Sequence, residues 1–567
     1  MERLGTRMYT PNLAPIAGSL FYSSLVALLP LLAVFITLGV LKWKAHWAGL
    51  TGLATALVVA VAVYGMPPAL AAMSATEGFA FGIFPIMWIV LNAIWLYELT
   101  VTSGRFEDLR RVIDRVSDDP RVQSIIIAFC LGGLLEALAG FGAPVAITGV
   151  MLMSIGFTAM RAAVVVLVAN TAPVAFGAIA IPIITAGNLT GIPFTDIGAV
   201  VGRQTPLLAL FVPLILVLLA DGRRGVRDVW PIATVVGVSF ALAQFVSANW
   251  LSVELTDVIA SLVGLAAAVL MLRVWRPANT AAARERLLTE GSDGSTGSPA
   301  AGTAARGTTA VDQRAETELS AARVFLALFP YLLVVVIFAV AKLWTPVKAW
   351  LAGTDTKFGW PGLDGHVLTA AGKPSASTVY TLGWLSSPGS LLLIAGVAVA
   401  VVYRISLLEA ARVYGSTVLK LRFSILTVAS VLALAYVMNQ SGQTITVGTW
   451  IAGTGALFAF LSPILGWLGT AVTGSDTSAN ALFATLQQTA ATHAGIDPTL
   501  LVAANTSGGV VGKMISPQNL TIAATTVGLL GRESEIFRRV IWWSLGMLAA
   551  LCVLIGLQST VLSWMLP

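Results

Sequence analysis

Apolar runs of about 20 residues recur along this chain between short polar or basic turns, and that spacing predicts helices long enough to cross a bilayer. Such runs cover residues 22–41, 47–65, 79–99, 229–248, 255–274 and 322–343, with a shorter one at 389–403 and a last one after residue 531. Two further blocks, 122–220 and 423–530, are as apolar but interrupted by glycine and proline, so broken helices are expected there. Segments shorter than about 17 residues need not cross, and the pattern gives roughly 12–14 crossings plus re-entrant pieces. The fold class is therefore an all-α polytopic membrane protein.

The polar stretches divide it. Residues 1–121 hold N-terminal transmembrane helices, 122–220 a first core repeat with a broken helix, 221–276 a helix pair, and 277–320 a linker. Residues 321–422 hold further helices and a long loop, 423–530 a second broken core repeat, and 531–567 the C-terminal helix. The linker is rich in Ala, Gly, Ser, Thr and charge, a composition that buries too little apolar area to order itself. Arginines at 105–121 and 221–228, and the Lys42-Trp43-Lys44 turn, place those loops and the linker in the cytoplasm. The N-terminus and the loop at 345–387 are then external. The acidic residues among the arginines of 105–121 read as one solvated helix face.

Composition excludes several classes. Of 567 residues, 57% are hydrophobic and 11% charged, more apolar surface than a water-soluble fold hides. The net charge of +6 fits basic cytoplasmic loops, and without basic-aromatic motifs it implies no nucleic-acid partner. Cys130 and Cys552 both lie in apolar runs, and the three histidines are scattered, so neither a disulfide framework nor a metal site is expected. The first apolar run follows no signal-cleavage pattern and is read as a retained helix. No zinc-protease, phosphate-loop or nucleophile-elbow motif is present, and no cofactor is implied.

The candidate chemistry sits at the breaks. In TAVTGSDTSANALFATLQQ, Gly474 ends one half-helix and Asp476, or a neighbouring hydroxyl of Ser475, Thr477 or Ser478, caps the next. The new helix start would aim free amides into the protein, a ready anion site. In GGLLEALAGFGAPVAITG, Gly140, Gly142 and Pro144 make the matching break, with Glu136 just before it. Glu136 stands at the negative end of a half-helix in apolar surroundings; both disfavour its charge, as a proton carrier requires. Asp476, at a helix start, is the second coupling candidate. Lys513 is a lone ammonium in an apolar helix, expected to pair with a substrate carboxylate or with Glu136 or Asp476. Asn170, Thr171, Asn505, Thr506 and Ser507 are neutral groups able to hold a carboxylate and a 2-hydroxyl, or simply to bond neighbouring helices. Gly177 and Pro182 lie seven and twelve residues after Asn170, as Gly512 and Pro517 do after Asn505. Interrupted segments at matching places in two halves point to a transporter binding site.

The stretches LLEALAGFGAPVAITG, NTAPVAFGAIAIPI, TGSDTSANALFATLQQTAA and LVAANTSGGVVGKMISPQNLTIA, with GRQ at 202–204 and GRESEIF at 531–537, resemble the bacterial L-lactate permease family from the first span to the last. The resemblance implies a proton-coupled symporter for L-lactate, D-lactate and glycolate in the cytoplasmic membrane. It also implies, by analogy of fold, inverted repeats with re-entrant hairpins and elevator-type movement. Loop charge by itself leaves inverted and parallel repeats open. The chain departs from the family pattern in its insert near 280–318 and in Leu138, whose bulk beside the break would narrow a pocket. An anion channel and a membrane-embedded enzyme acting on a small carboxylate are the rival classes.

Overall fold

The computed structural model describes residues 8–114, 116–139, 142–293, 320–369 and 372–567. Among them ten helices are long and apolar enough to cross a membrane, and four shorter apolar helices, such as Ala159–Ala169 and Gly177–Thr190, stand beside them together with more polar ones. Among the described residues the fold is all-α apart from one small antiparallel hairpin, Thr356–Gly359 with Val379–Leu382, inside the 345–387 loop. The predicted breaks are where helices are shortened. The turn expected at DGRRG is also present: Asp221 and Gly222 leave helical φ/ψ within the path Val212–Val246.

Large apolar side chains cover the outside, including Val58, Leu242 and Leu270, as well as Trp43, Trp47, Trp542 and Trp564. Water would penalise so wide an apolar surface, whereas lipid matches it and indole rings suit its edges. The chain is a multi-pass membrane protein.

The two core blocks repeat one order of elements. The first runs Gly132–Ala139, break, Ala143–Ser154, Ala159–Ala169, break, Gly177–Thr190. The second runs Phe458–Thr473, break, Asp476–Ala494, Pro498–Gly512, a short 3₁₀ turn, Pro517–Thr526. The equal spacings noted above fall on different local structure. Asn170 closes a helix while Asn505 lies inside one, and Gly177 opens a helix while Gly512 ends one. Glycines let the second block close up: a Cβ on Gly508 would strike the backbone of Pro463, and one on Gly466 that of Asn505.

At one end of the bundle the backbone of Tyr9 bonds His366 and Leu368, so the N-terminal segment lies with the 345–387 loop. The arginine-rich elements gather elsewhere. Arg323 pairs with Asp108, and Arg121, read from sequence as a loop charge, is fully buried among Asp119 (2.7 Å), Asp228 (2.9 Å) and Asp221 (3.3 Å). Asp108 and Asp119 are therefore not part of a solvated face; both are buried ion-pair partners. If loop charge orients the chain, a cysteine at Lys373 labels with an impermeant maleimide in intact cells and one at Arg224 does not, in a background lacking Cys130 and Cys552. The reverse pattern inverts the topology.

The linker expectation needs correction at its start. Helix Thr280–Asp293 docks on the arginine cluster: Thr280 Oγ1 donates to Asp119 at 2.9 Å, and Arg286 pairs with Asp221 at 2.9 Å. Ion-pair partners in the preceding loops, absent from any local pattern, order it. Residues 294–319 lie outside the described residues. Deleting about 20 residues within 294–315 should leave uptake of labelled substrate at the wild-type level. Loss of uptake on that deletion would show that this stretch, too, docks.

Candidate functional site

Each hairpin tip is built by a glycine. Gly474 (φ +77°) ends Phe458–Thr473 in the left-handed region, and Ser475 caps the next helix by accepting the Ser478 amide at 3.3 Å. The cap is thus Ser475 and not Asp476. The Asp476 side chain is buried between helices instead: Thr470 Oγ1 donates to its Oδ1 at 3.4 Å, and Oδ2 has no hydrogen-bond partner among the described residues. In the first hairpin Gly142 (φ +85°) precedes Ala143–Ser154, with Pro144 in the first turn as expected. A Cβ on Gly142 would strike Ile522, so this tip packs on Pro517–Thr526 of the other block. Gly140 lies outside the described residues.

The two blocks meet at an ion pair. Lys513, opening the 3₁₀ turn after Pro498–Gly512, donates to Glu136 Oε1, and both are buried. The Nδ2 of Asn170 donates to the other oxygen, Glu136 Oε2, at 3.0 Å. Gly177 lies flat against the carboxylate; a Cβ there would sit 3.2 Å from Oε1. Behind it Ala178, Ile179 and Ala180 have φ of +45°, +59° and +58°. Side chains rarely take such angles, at a cost of about 1–3 kcal/mol each, and such strain gathers at functional sites.

A cavity of about 1210 Å³ opens from this pair, lined by Glu136, Lys513, Ser475, Asp476, Thr477 and Ser478. Its wall also reaches Lys42, Lys44 and Glu533, in the turn before Ala45–Ala62 and at the start of Glu533–Gln558.

The neutral candidates other than Asn170 fall elsewhere. Thr171 bonds its own helix, through the carbonyl of Val168. Asn505 and Thr506 donate to Asn480 Oδ1 at 2.9 and 3.1 Å, Ser507 donates to Gln204 at 2.6 Å, and Gln204 donates to Gln558 at 2.9 Å. Asn480 in turn donates to the carbonyl of Pro182 at 3.2 Å, which joins the blocks. This buried seam binds helices together, and none of these side chains lines the cavity. Gln558 was not singled out from sequence; Gln204 entered only through the GRQ of the family resemblance, and Asn480 only as the end of the Ser475–Asn480 stretch, neither as a candidate site residue.

The sequence model of the L-lactate permease family matches residues 23–562. The chain is 42% identical to the L-lactate permease of Bacillus subtilis strain 168, over 99% of this chain and 100% of that one. It is 41% identical to the glycolate permease of Escherichia coli K12 over 99% of both, and 41% identical to the L-lactate permease of the same strain over 97% and 98%. These relatives are permeases and not enzymes. With the match running through both broken blocks and nearly end to end, the chain belongs to the L-lactate permease family.

Proposed function

We propose that this protein carries lactate and related 2-hydroxy monocarboxylates such as glycolate across the cytoplasmic membrane, one proton moving with each anion. The carrying observation is that Lys513, the buried ammonium among the described residues that line the cavity, is already held by Glu136. An entering carboxylate can take that ammonium only if Glu136 releases it, and a proton on Glu136 does this while leaving the site's total charge unchanged. Without the proton, a second negative charge would enter a poorly solvated site at a cost of several kcal/mol.

The second hairpin supplies the rest. Ser475 accepts the amides of Ser478 and, through its carbonyl, Ala479, so the Asp476 and Thr477 amides at the cavity wall are left for an anion. The hydroxyls of Thr477 and Ser478 suit the 2-hydroxyl. Asn170 holds Glu136 in place in both protonation states, because its amide can donate to a carboxylate or to a carbonyl oxygen. Taken with the loop charges, a cavity reaching Lys42 and Lys44 is open to the cytoplasm, and those lysines attract anions to it. Proteoliposomes decide the class. A symporter accumulates labelled lactate against its gradient when the lumen is alkaline, a channel only equilibrates it, and an enzyme converts it; either of the last two outcomes rejects the proposal.

A further inference from the structure

The reading above uses Glu136 and Asp476 and leaves a third buried carboxylate without a task. Asp257, in the first turn of Thr256–Val274, is fully buried. This helix runs antiparallel to the arm that carries Glu136. Gly264 lies against Cys130, a Cβ there being 3.6 Å from its Sγ, and Gly133 lies against Ser261 at 2.6 Å on the same measure. One turn further along, that register sets Asp257 level with Glu136 and Ala137.

The two carboxylates also converge on one turn of backbone. Asp257 Oδ1 accepts from Gln244 Nε2 at 3.1 Å, and the same nitrogen donates to the carbonyl of Ala172 at 3.2 Å. Ala172 is two residues from Asn170, whose amide holds Glu136. Asp257 Oδ2 and Gln244 Oε1 are both buried with no hydrogen-bond partner among the described residues. A buried carboxylate with one oxygen that no described protein group bonds is poorly compensated, and a proton on Oδ2 removes that charge and turns a stranded acceptor into a donor.

A second cavity of about 430 Å³ is lined by Glu254 together with Lys348, Asp355 and Tyr380 of the 345–387 loop, and Glu254 is three residues before Asp257. From this geometry we infer that Asp257 is a proton-transfer residue, taking the coupled proton from that cavity and passing it to Glu136. The inference rests on the proton-coupled reading. In the step the O–H bond at Asp257 Oδ2 breaks and one forms on Glu136; Asp257 becomes a carboxylate, Glu136 becomes neutral, Lys513 turns to the substrate, and total charge is conserved.

The other ionisable groups near Asp257 are Glu136 and Cys130 across from its helix, Glu254 in the preceding turn, and Lys513 beyond Glu136. Gly177–Thr190 and Ser247–Leu251 bring none, Val212–Val246 keeps its own in the stretch Asp221–Asp228, and Ala321–Leu343 carries Arg323, Tyr331 and Lys342.

The test compares wild type, Asp257→Asn and Asp257→Glu in proteoliposomes, for lactate–lactate exchange and for accumulation under a proton gradient. Asp257→Asn should keep exchange and lose accumulation, and Asp257→Glu should regain accumulation with a displaced pH profile. Wild type that merely equilibrates lactate rejects proton coupling itself. Wild type that accumulates, beside an Asp257→Asn carrier that does so with unchanged pH dependence, overturns this inference alone. Loss of exchange together with accumulation in folded Asp257→Asn marks a structural role and also overturns it. Should Asp257→Asn fail to assemble, Asp257→Glu decides, a profile identical to wild type counting against the inference.

Discussion

Glu136→Gln is expected to keep lactate–lactate exchange while losing proton-driven accumulation. Glutamine has nearly the shape of the protonated acid and can still accept from Asn170, but it cannot hold the Lys513 ammonium as an ion pair. Lys513 is then free for substrate in every state, which is the loaded arrangement made permanent. The sign of the pH dependence follows. In wild type, binding needs a protonated Glu136, so apparent affinity falls as pH rises, by about tenfold per pH unit once the site has lost its proton. In Glu136→Gln the affinity should be flat over the same range. Exchange and uptake across mildly acidic to mildly alkaline buffers measure both. A Glu136→Gln carrier that still accumulates lactate with wild-type pH dependence would move the proton to another group, Asp476 first.

Lys513→Met should weaken lactate binding by about 2–5 kcal/mol, or roughly 30- to 5,000-fold, because it removes the cation facing the substrate carboxylate. The same change strands Glu136, which breaks a buried pair and destabilises the fold by about 3–5 kcal/mol. The double variant Glu136→Gln/Lys513→Met separates the two losses. With Glu136 no longer stranded, its thermal unfolding should return toward wild type, while binding measured by counterflow stays weak. Wild-type affinity in the double variant would show that the substrate carboxylate is held elsewhere.

Much of the architecture could be read in advance because it is written locally. Runs of apolar residues, Gly474 and Gly142 at helix breaks, Pro144 in a first turn and the order of the two blocks each depend on residues a few positions apart. Helix propensity, the left-handed conformation and the hydrocarbon thickness act on that scale. Glu136, Asp476 and Lys513 stood out because an ionisable group inside an apolar run is costly enough to imply a partner; Glu136 and Lys513 take each other, while Asp476 has only the Thr470 hydroxyl among the described residues. Even Ser475 as cap lay within the alternatives the sequence allowed.

Which partner each group takes was decided by tertiary structure alone. Glu136 and Lys513 are 377 residues apart, and nothing near either one encodes the approach of the two blocks that joins them. That approach depends on close contacts between remote segments, such as Gly142 of the first block against Ile522 of the second, and on which face of a helix points inward. For the same reason Asn505, Thr506 and Ser507 could be named as polar groups in need of partners but not assigned to the seam rather than the cavity. Arg121 and Asp257 were read as a loop charge and as part of an apolar span, because their burial is produced by neighbours remote in sequence. A side chain's chemistry and its local backbone are properties of the segment, whereas burial and pairing belong to the packed whole, where desolvation makes one distant partner worth more than all the local preferences.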